Sequence, residues 1–152
     1  MKIKELKKIL YKFGDNVTFD HDLKKKNWFN IGGKAKVFYK PTELKDLIKF
    51  LKVLDNKEKI YTIGAGSNTL ITDEVFNGVV IKLGKNFNRL SSLTPEIIIS
   101  GAAVTDKKLS EFAADNDLSG FEFLSCIPGT VGGGIKMNAG CFGNEIKDIL
   151  LS

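Results

Sequence analysis

The sequence of 152 residues predicts a layered α/β fold. Three observations predict it. Short β-branched runs closed by glycine recur along the chain, amphipathic helical patterns stand between them, and no internal repeat or low-complexity linker interrupts the order. With 43% hydrophobic and 27% charged residues, the composition is typical of a folded globular protein and argues against an intrinsically disordered one.

The first third of the chain predicts two helices and one strand. Apolar residues recur at helical spacing in residues 6–13 before Gly14, which is expected to end that helix. A polar loop follows, and residues 37–39 then predict a strand that Pro41 ends. Thr42 is expected to cap a second helix. Its apolar stripe consists of Leu44, Leu47, Ile48, Leu51 and Leu54.

Three further strands are expected at residues 59–64, 78–84 and 96–102, because each is a short apolar run closed by glycine. Continuous apolar runs of this kind are typical of strands that are covered on both faces. Thr105 then predicts the cap of a helix that Ser119 and Gly120 interrupt. The inward-facing residues of this helix are expected to be Leu109, Phe112 and Ala113.

The net charge of +5 is concentrated in residues 1–59, which hold sixteen lysines against eight acids. This distribution favours a solvated basic face over a nucleic-acid site, because few aromatic side chains are interleaved with the lysines. A phosphorylated small molecule remains compatible with it. No run approaches the roughly 20 apolar residues of a membrane span, and the start lacks a secretory signal pattern, so a cytosolic location is expected.

The single histidine and the two cysteines do not predict a metal site or a catalytic nucleophile. His21 lies in the predicted polar loop and is expected to be a solvated histidine. Cys126 and Cys141 lack metal-ligand spacing and are expected to be reduced thiols, with Cys126 packed as a small buried side chain. Phe121 and Phe123 are expected to pack, with a role in lining a ligand site as the alternative.

Two glycine-rich segments, residues 63–71 and 127–140, carry the functional signal. Neither has the Lys-Ser/Thr pair of a P-loop, and the first lacks the third glycine and the later acid of a Rossmann fingerprint. A strand-ending turn remains an open interpretation of the first segment. The functional interpretation is a row of backbone and side-chain donors, with Ser67 and Asn68, that suits a pyrophosphate.

In the second segment, residues 132–134 are three successive glycines, which would let the backbone lie against a flat or phosphorylated ligand without Cβ interference. Met137 and Asn138 would add an apolar contact and an amide. Both segments therefore predict the binding of a dinucleotide.

The strings NWFNIGGKA (27–35), IGAGSNTLI (63–71) and LSGFEFLSCIPGTVGGGIKMNAGCFG (118–143) resemble the N-terminal half of the UDP-N-acetylenolpyruvoylglucosamine reductase (MurB) family. The resemblance covers roughly residues 27–148. It implies the FAD-binding fold of the vanillyl-alcohol oxidase and p-cresol methylhydroxylase type, with a complete first lobe and a truncated second lobe. It also implies an N-terminal helix and loop over 1–20 and the FAD-binding domain over 21–152.

The resemblance implies a reaction in which NADPH reduces FAD and the flavin then reduces the enolpyruvyl group of a UDP-sugar in peptidoglycan synthesis. Its first group of implied FAD contacts comprises Gly64, Ala65, Gly66, Ser67, Asn68 and Leu70. The second group comprises Pro128, Gly129, Thr130, Gly132, Gly133, Gly134, Asn138, Ala139 and Gly140.

The family's catalytic arginine, glutamate and serine lie in motifs C-terminal to those matched, so no catalytic residue is assigned within the 152 residues. The resemblance therefore implies a fragment that binds FAD with little turnover of its own, and without the substrate-binding domain. Such a fragment is expected to expose Ile146, Ile149, Leu150 and Leu151. A non-enzymatic remnant and another flavin oxidoreductase of the same fold are the alternatives.

Overall fold

The computed structural model describes residues 3–55 and 58–152. The chain forms two compact units, Met1–Gly84 (unit 1) and Lys85–Ser152 (unit 2). The division into 1–20 and 21–152 stays a prediction. No helix among the described residues is long and apolar enough to span a bilayer.

Unit 1 is built on a four-stranded sheet with the order β1-β2-β4-β3. The strands are β1 (Val17–Asp22), β2 (Lys34–Tyr39), β3 (Ile60–Thr62) and β4 (Phe76–Ile81). β1 is antiparallel to β2, whereas β2 and β3 are both parallel to β4. Two helices complete the unit, α1 (Ile3–Leu10) and α2 (Leu44–Leu54), with 3₁₀ turns at Tyr11–Asn16 and Lys24–Lys26.

Two apolar clusters form the core of unit 1, because alternate residues of β2 and β4 belong to different clusters. Phe50 and Leu54 of α2 pack with one set of strand residues, and Leu10 of α1 joins them. Ile63 belongs to the other cluster. The first set of strand residues is Val17, Val37, Tyr39, Val79 and Ile81, and the residues packed with Ile63 are Leu23, Ala35, Phe38 and Val80.

Unit 2 contains two small antiparallel sheets and two helices. The strands are β5 (Leu90–Thr94) with β6 (Ile97–Ser100), and β7 (Gly140–Cys141) with β8 (Asn144–Glu145). The helices are α3 (Asp106–Ala114) and α4 (Val131–Met137), and 3₁₀ turns lie at Lys85–Phe87, Glu122–Cys126 and Ile146–Asp148. The core consists of Val104, Leu109, Phe123, Leu124, Val131 and Ile146.

The predicted polar loop before β2 is wrong, because it contains β1. Val17 is buried, and β1 pairs with β2 through the register His21 to Ala35. His21 is half-buried and stacks on Phe38 with ring centroids 4.2 Å apart. Burial, and then the charge of Lys26, lowers the pKa of His21. The expectation of a solvated loop histidine is therefore also wrong.

The predicted stripe of α2 is partly wrong. Glu43 rather than Thr42 is the N-cap, and the helix buries Phe50 and Leu54 with Leu47 packed beside them. Leu44, Ile48 and Leu51 are instead 61%, 44% and 39% exposed. A helix on a sheet buries a narrow stripe, and the i, i+3, i+7 set beginning at residue 47 lies on it.

The expectation that the strands are covered on both faces is confirmed only for β4, the strand paired on both sides. All three residues of β3, at the sheet edge, are exposed, and β6 lies in a two-stranded sheet with half-exposed isoleucines. Strand β5 was not predicted. Its two consecutive serines, Ser91 and Ser92, interrupt the apolar pattern.

Several local expectations in unit 2 have clear outcomes. The Thr105 cap is confirmed, since its Oγ1 accepts a hydrogen bond from the Lys108 N–H at 3.3 Å. Leu109 and Ala113 are buried as expected, and Phe112 is half-buried. Cys126 is exposed, so its expected burial is wrong, although both cysteines are free. Phe123 is buried with Phe121 packed beside it.

The expected apolar exposure near residue 150 is confirmed only in part. Leu150 and Leu151 are 42% and 76% exposed, but Ile146 belongs to the core of unit 2 and Ile149 packs against it. The 3₁₀ turn at Ile146–Asp148 directs the Ile146 side chain towards α4, where its Cδ1 lies against Gly134.

Candidate functional site: two glycine-rich segments

The first glycine-rich segment, residues 63–71, follows β3 in unit 1. Ile63 anchors it, because its side chain is buried and its N–H donates to the Ile81 carbonyl at 2.9 Å. The N–H groups of residues 64–68 donate to no backbone carbonyl among the described residues. Asn68 is exposed and Ser67 is half-buried. The segment therefore presents a row of unengaged donors of the kind that binds anions.

Gly66 is required in this segment by its backbone. Its φ of +77° lies in the left-handed region, and a Cβ there would collide with the Lys26 carbonyl and lie 2.8 Å from the Asn27 Cα. The Trp28 N–H also donates to the Gly66 carbonyl at 3.1 Å. The loop of residues 24–31 therefore holds the donor row in place.

Asn27 organises that supporting loop. The side chain is buried, and its Nδ2 donates to the carbonyls of Leu23 at 3.2 Å and Ile31 at 2.7 Å. Trp28 and Phe29 beside it are 61% and 57% exposed. No site role was predicted for this loop from the sequence. The sequence signal that could have indicated a role is Asn27 next to Trp28 and Phe29, in the string NWFNIGGKA that carries the family resemblance.

The surroundings of this loop in unit 1 are positively charged. Burial, followed by the charges of Lys26 and Lys40, lowers the pKa of Lys82, so that these cations act on one another. The Lys26 Nζ lies 5.4 Å from the centroid of the Phe38 ring. The Lys26 carbonyl lies against Gly66, so this lysine belongs to the part of the loop that adjoins the donor row.

The second glycine-rich segment contains a helix. Residues 131–137 form α4, and Thr130 is its N-cap without a side-chain cap bond. Several of its amides are already engaged within unit 2. The N–H of Val131 donates to the Val104 carbonyl at 2.9 Å, and that of Gly132 donates to the Ala102 carbonyl at 3.0 Å. The Gly133 N–H donates to no backbone carbonyl among the described residues.

The three glycines of α4 differ in their surroundings. A Cβ on Gly132 would lie 2.9 Å from the Ala102 Cβ, and one on Gly134 would collide with Ile146. A Cβ on Gly133 would meet only the Thr130 Oγ1, at 3.3 Å, and Gly133 is exposed. Packing therefore accounts for the first and third glycines, and Gly133 is the position left open to a ligand.

Asn138, at the end of α4, has a side chain that is engaged within unit 2. The residue has φ of +46°, its Nδ2 donates to the Glu145 Oε2 at 3.0 Å, and its Oδ1 accepts from the Lys147 N–H at 3.1 Å. Hydrogen bonds from Lys147 and Asn138 lower the pKa of Glu145. These bonds tie the helix end to β8. A contact from Asn138, Ala139 or Gly140 to a ligand stays a prediction.

Asp106 lies beneath the start of the second segment and was not predicted from the sequence. It is fully buried, and neither carboxyl oxygen has a hydrogen-bond partner among the described residues. Burial raises the pKa of this carboxyl to about 6. An acid in the first turn after a capping threonine is expected at a helix start, so the sequence carried no sign of its burial.

Comparison with known proteins identifies the fold. Residues 35–152 match the family described as FAD binding domain. The chain belongs to this FAD binding domain family. Both glycine-rich segments lie within the matched range, and the predicted α/β fold and FAD as the family's cofactor are confirmed.

The relatives of this family member are reductases. The UDP-N-acetylenolpyruvoylglucosamine reductase of Pelagibacter ubique is 60% identical over all 152 residues, which cover 50% of that protein. The Rickettsia akari protein of the same name is 47% identical over 134 residues, or 87% of this chain and 44% of the relative. The chain spans about half the length of the curated relatives it matches.

A solved structure agrees with these relatives. The crystal structure of the UDP-N-acetylenolpyruvylglucosamine reductase (MurB) from Thermus caldophilus matches with a TM-score of 0.69 and 30% identity, covering 87% of this chain and 45% of the other. The resemblance to the N-terminal part of that reductase family is confirmed. The loop of residues 24–31 lies outside the FAD binding domain match but inside the alignment at 60% identity.

Proposed function

We propose that the chain is the FAD-binding part of an NADPH-dependent reductase that converts UDP-N-acetylglucosamine enolpyruvate to UDP-N-acetylmuramate in peptidoglycan synthesis in the cytoplasm. The observation that carries the proposal is the identity of 60% across every residue of the chain with a reductase of this name. Membership of the FAD binding domain family is by itself compatible with other flavin oxidoreductases. The named relatives favour the UDP-N-acetylenolpyruvoylglucosamine reductase.

The donor row of unit 1 fits a diphosphate. Its N–H groups at residues 64–68, which donate to no backbone carbonyl among the described residues, can supply hydrogen bonds to phosphate oxygens. In unit 2, the open Gly133 would allow a close approach to its N–H. The proposed FAD contacts are Gly64, Ala65, Gly66, Ser67, Asn68, Leu70, Pro128, Gly129, Thr130, Gly132, Gly133, Gly134, Asn138, Ala139 and Gly140.

When bound, FAD supplies hydride transfer between NADPH and the enolpyruvyl sugar. The residues of this chain bind and orient the cofactor, and none is assigned to proton transfer to the substrate. Because a reduction of this kind needs the hydride donor and the proton donor held together, the isolated chain is expected to bind FAD with little turnover.

The test is FAD binding by the purified 152-residue chain, measured by flavin fluorescence during titration. Gly133→Ala adds a methyl group at the open position, where only the Thr130 hydroxyl is near. We expect it to weaken FAD binding about tenfold, which corresponds to about 1.4 kcal/mol. Ser91→Ala, at an exposed position on β5, is the control and is expected to bind as the wild type does.

Two results would contradict the proposal. A folded wild-type chain that shows no saturable FAD binding would remove its basis. Equal FAD affinities of the Gly133→Ala and Ser91→Ala variants would exclude Gly133 from the site. Normal conversion of the UDP-sugar by the isolated chain with NADPH would instead contradict the expected lack of turnover.

A further inference from the structure

Asp106 is a buried carboxyl group without a hydrogen-bond partner among the described residues. It is the first residue of α3, and its own N–H donates to the Gly129 carbonyl at 3.3 Å. A charged carboxylate is strongly disfavoured in such surroundings unless hydrogen bonds or an opposite charge compensate for the lost water. The packing of unit 2 therefore favours the neutral acid.

The carboxyl group fills the space under the second glycine-rich segment. A Cβ on Gly129 would collide with the Asp106 Oδ2, and one on Gly134 would lie 3.4 Å from its Oδ1. An isolated bridge between Thr105 and Thr130 joins the residues that precede α3 and α4. The carboxyl group and the segment are thus held together from the start of α4 into its first turn.

We propose that Asp106 is a positioning residue for the Pro128–Gly134 segment, and that its carboxyl group takes up a proton when a diphosphate binds there. This inference rests on the proposed function. A phosphate against Gly129 would place negative charge close to the buried Asp106 carboxyl, where two negative charges repel strongly. The neutral acid avoids that repulsion while it keeps the same shape under the glycines.

Among the described residues, burial is the cause that raises the pKa of the Asp106 carboxyl to about 6, and no neighbouring charge adds to this shift. The second segment contains no titratable residue between positions 128 and 134. The charged residues on the elements packed against Asp106 are Lys107, Lys108 and Glu111 on α3, Lys136 on α4, and Glu145, Lys147 and Asp148 around Ile146.

The experiment measures the FAD dissociation constant of the whole chain between pH 5 and pH 8.5. Below pH 6 the acid is protonated with and without ligand, so the affinity is expected to be constant. Above pH 6 the affinity should fall about tenfold per pH unit, the slope for uptake of one proton. Calorimetry in two buffers of different ionisation enthalpy should show uptake of about one proton per FAD at pH 7.5.

Asp106→Asn keeps the shape and removes the charge. It is expected to bind FAD with an affinity that does not change across this pH range, and more tightly than the wild type at pH 8. Riboflavin, which lacks the diphosphate, is the ligand control, and any binding of it should be independent of pH. If the role of Asp106 were purely structural, the Asp106→Asn substitution would not change how FAD affinity depends on pH.

The outcomes separate the two proposals. A wild-type chain that binds FAD without pH dependence or proton uptake overturns the role of Asp106 and leaves the proposed function standing. A wild-type chain that does not bind FAD at pH 5 or pH 8 overturns both. Both measurements use the wild type, so they decide the question even if Asp106→Asn does not fold.

A second readout needs no ligand. Because the folded-state pKa of Asp106 is raised to about 6 from 3.8, its contribution favours folding most at pH values below 4. That contribution is lost as the pH rises through 6. The midpoint of unfolding of unit 2 should therefore be lower at pH 7.5 than at pH 5. This decrease should be larger in the wild type than in Asp106→Asn. An equal fall in both would show that Asp106 is not the titrating group.

Discussion

In unit 1 the glycine-rich segment is an irregular loop in which Gly66 has φ of +77° and residues 64–68 keep their N–H groups unengaged. In unit 2 the segment is the helix α4, whose first amides bond to Val104 and Ala102 of the same unit. The same composition thus serves two physical purposes. The loop needs glycine for a left-handed conformation and a close backbone contact, and the helix needs it for space.

This difference bears on how glycine-rich motifs are interpreted. In the loop, the free amides agree with the expectation of backbone donors for a diphosphate. In α4, packing against Ala102, Ile146 and Asp106 accounts for most of the glycines, and Gly133 remains as the open position. A run of glycines therefore marks close contact, and the structure decides whether the neighbour is a ligand or the protein itself.

Gly66→Ala is expected to have the largest effect on stability. Its left-handed φ costs a non-glycine residue roughly 1–2 kcal/mol, and overpacking against Lys26 and Asn27 adds roughly 1–3 kcal/mol. We expect a loss of about 3 kcal/mol or more in urea unfolding followed by Trp28 fluorescence. The control is Gly143→Ala, where φ is +83° but none of the described residues lies within 4 Å of a Cβ, and its loss is followed by amide hydrogen exchange of residues 85–152. Equal losses in the two variants would show that the close contact is unimportant.

Gly129→Ala tests the space argument in unit 2. The added methyl group meets the Asp106 carboxyl, so we expect a loss of about 1–3 kcal/mol from overpacking. Asp106→Ala should relieve the clash, giving a coupling energy of about 1 kcal/mol or more in a double-mutant cycle. The single tryptophan and the three tyrosines all lie in residues 1–84, so amide hydrogen exchange of residues 85–152 is the measurement.

Gly133→Ala is the control for this cycle. A Cβ there would meet only the Thr130 Oγ1, at 3.3 Å, and a shift of this hydroxyl by a few tenths of an ångström would relieve the contact. Because alanine favours a helix over glycine by about 0.5–1 kcal/mol, unit 2 should be about as stable as in the wild type. If Gly133→Ala destabilised unit 2 as much as Gly129→Ala does, space would not distinguish the two positions.

Asn27→Ala tests the support of the unit 1 loop. It removes hydrogen bonds to the Leu23 and Ile31 carbonyls inside a buried site, and a loss of about 1–3 kcal/mol is expected in the same urea experiment. Asn77→Ala is the matched control, since Asn77 is an exposed residue of β4. It should stay within about 0.5 kcal/mol of the wild type. Equal free energies of unfolding for Asn27→Ala and its control would contradict the supporting role of Asn27.

Thr105→Ala is expected to have a smaller effect than Asn27→Ala. It removes the cap bond to the Lys108 N–H and should cost about 1 kcal/mol, measured by exchange of the α3 amides. Thr130→Ala is the comparison, because the Thr130 side chain makes no cap bond to α4 and its loss should be smaller. A larger loss of stability in Thr130→Ala than in Thr105→Ala would show that α4 depends on its cap more than α3 does.

Strong local patterns in the sequence predicted their elements correctly. The cap at Thr105 and the inward Leu109 and Ala113 followed from hydrogen-bond chemistry and helical spacing. Strand β4 followed from an uninterrupted apolar run. The strings of both glycine-rich segments identified the family, because close backbone contacts restrict residue choice strongly.

Patterns that depend on distant partners were missed. Strand β1 contains mostly polar residues, and its pairing with β2 makes it a strand. The apolar stripe of α2 had several possible faces, and the sheet beneath it selected the one with Phe50 and Leu54.

By itself, the sequence determined the family, the place of the two glycine-rich segments and the elements with strong local signals. Only the tertiary structure decided that one segment is a loop of unengaged amides and the other a helix packed on Asp106. The physical reason is that backbone conformation at a glycine is locally undetermined. The hydrogen bonds from α4 to Val104 and Ala102, and the contact of Gly66 with residues 26–28, come from chain far away in sequence.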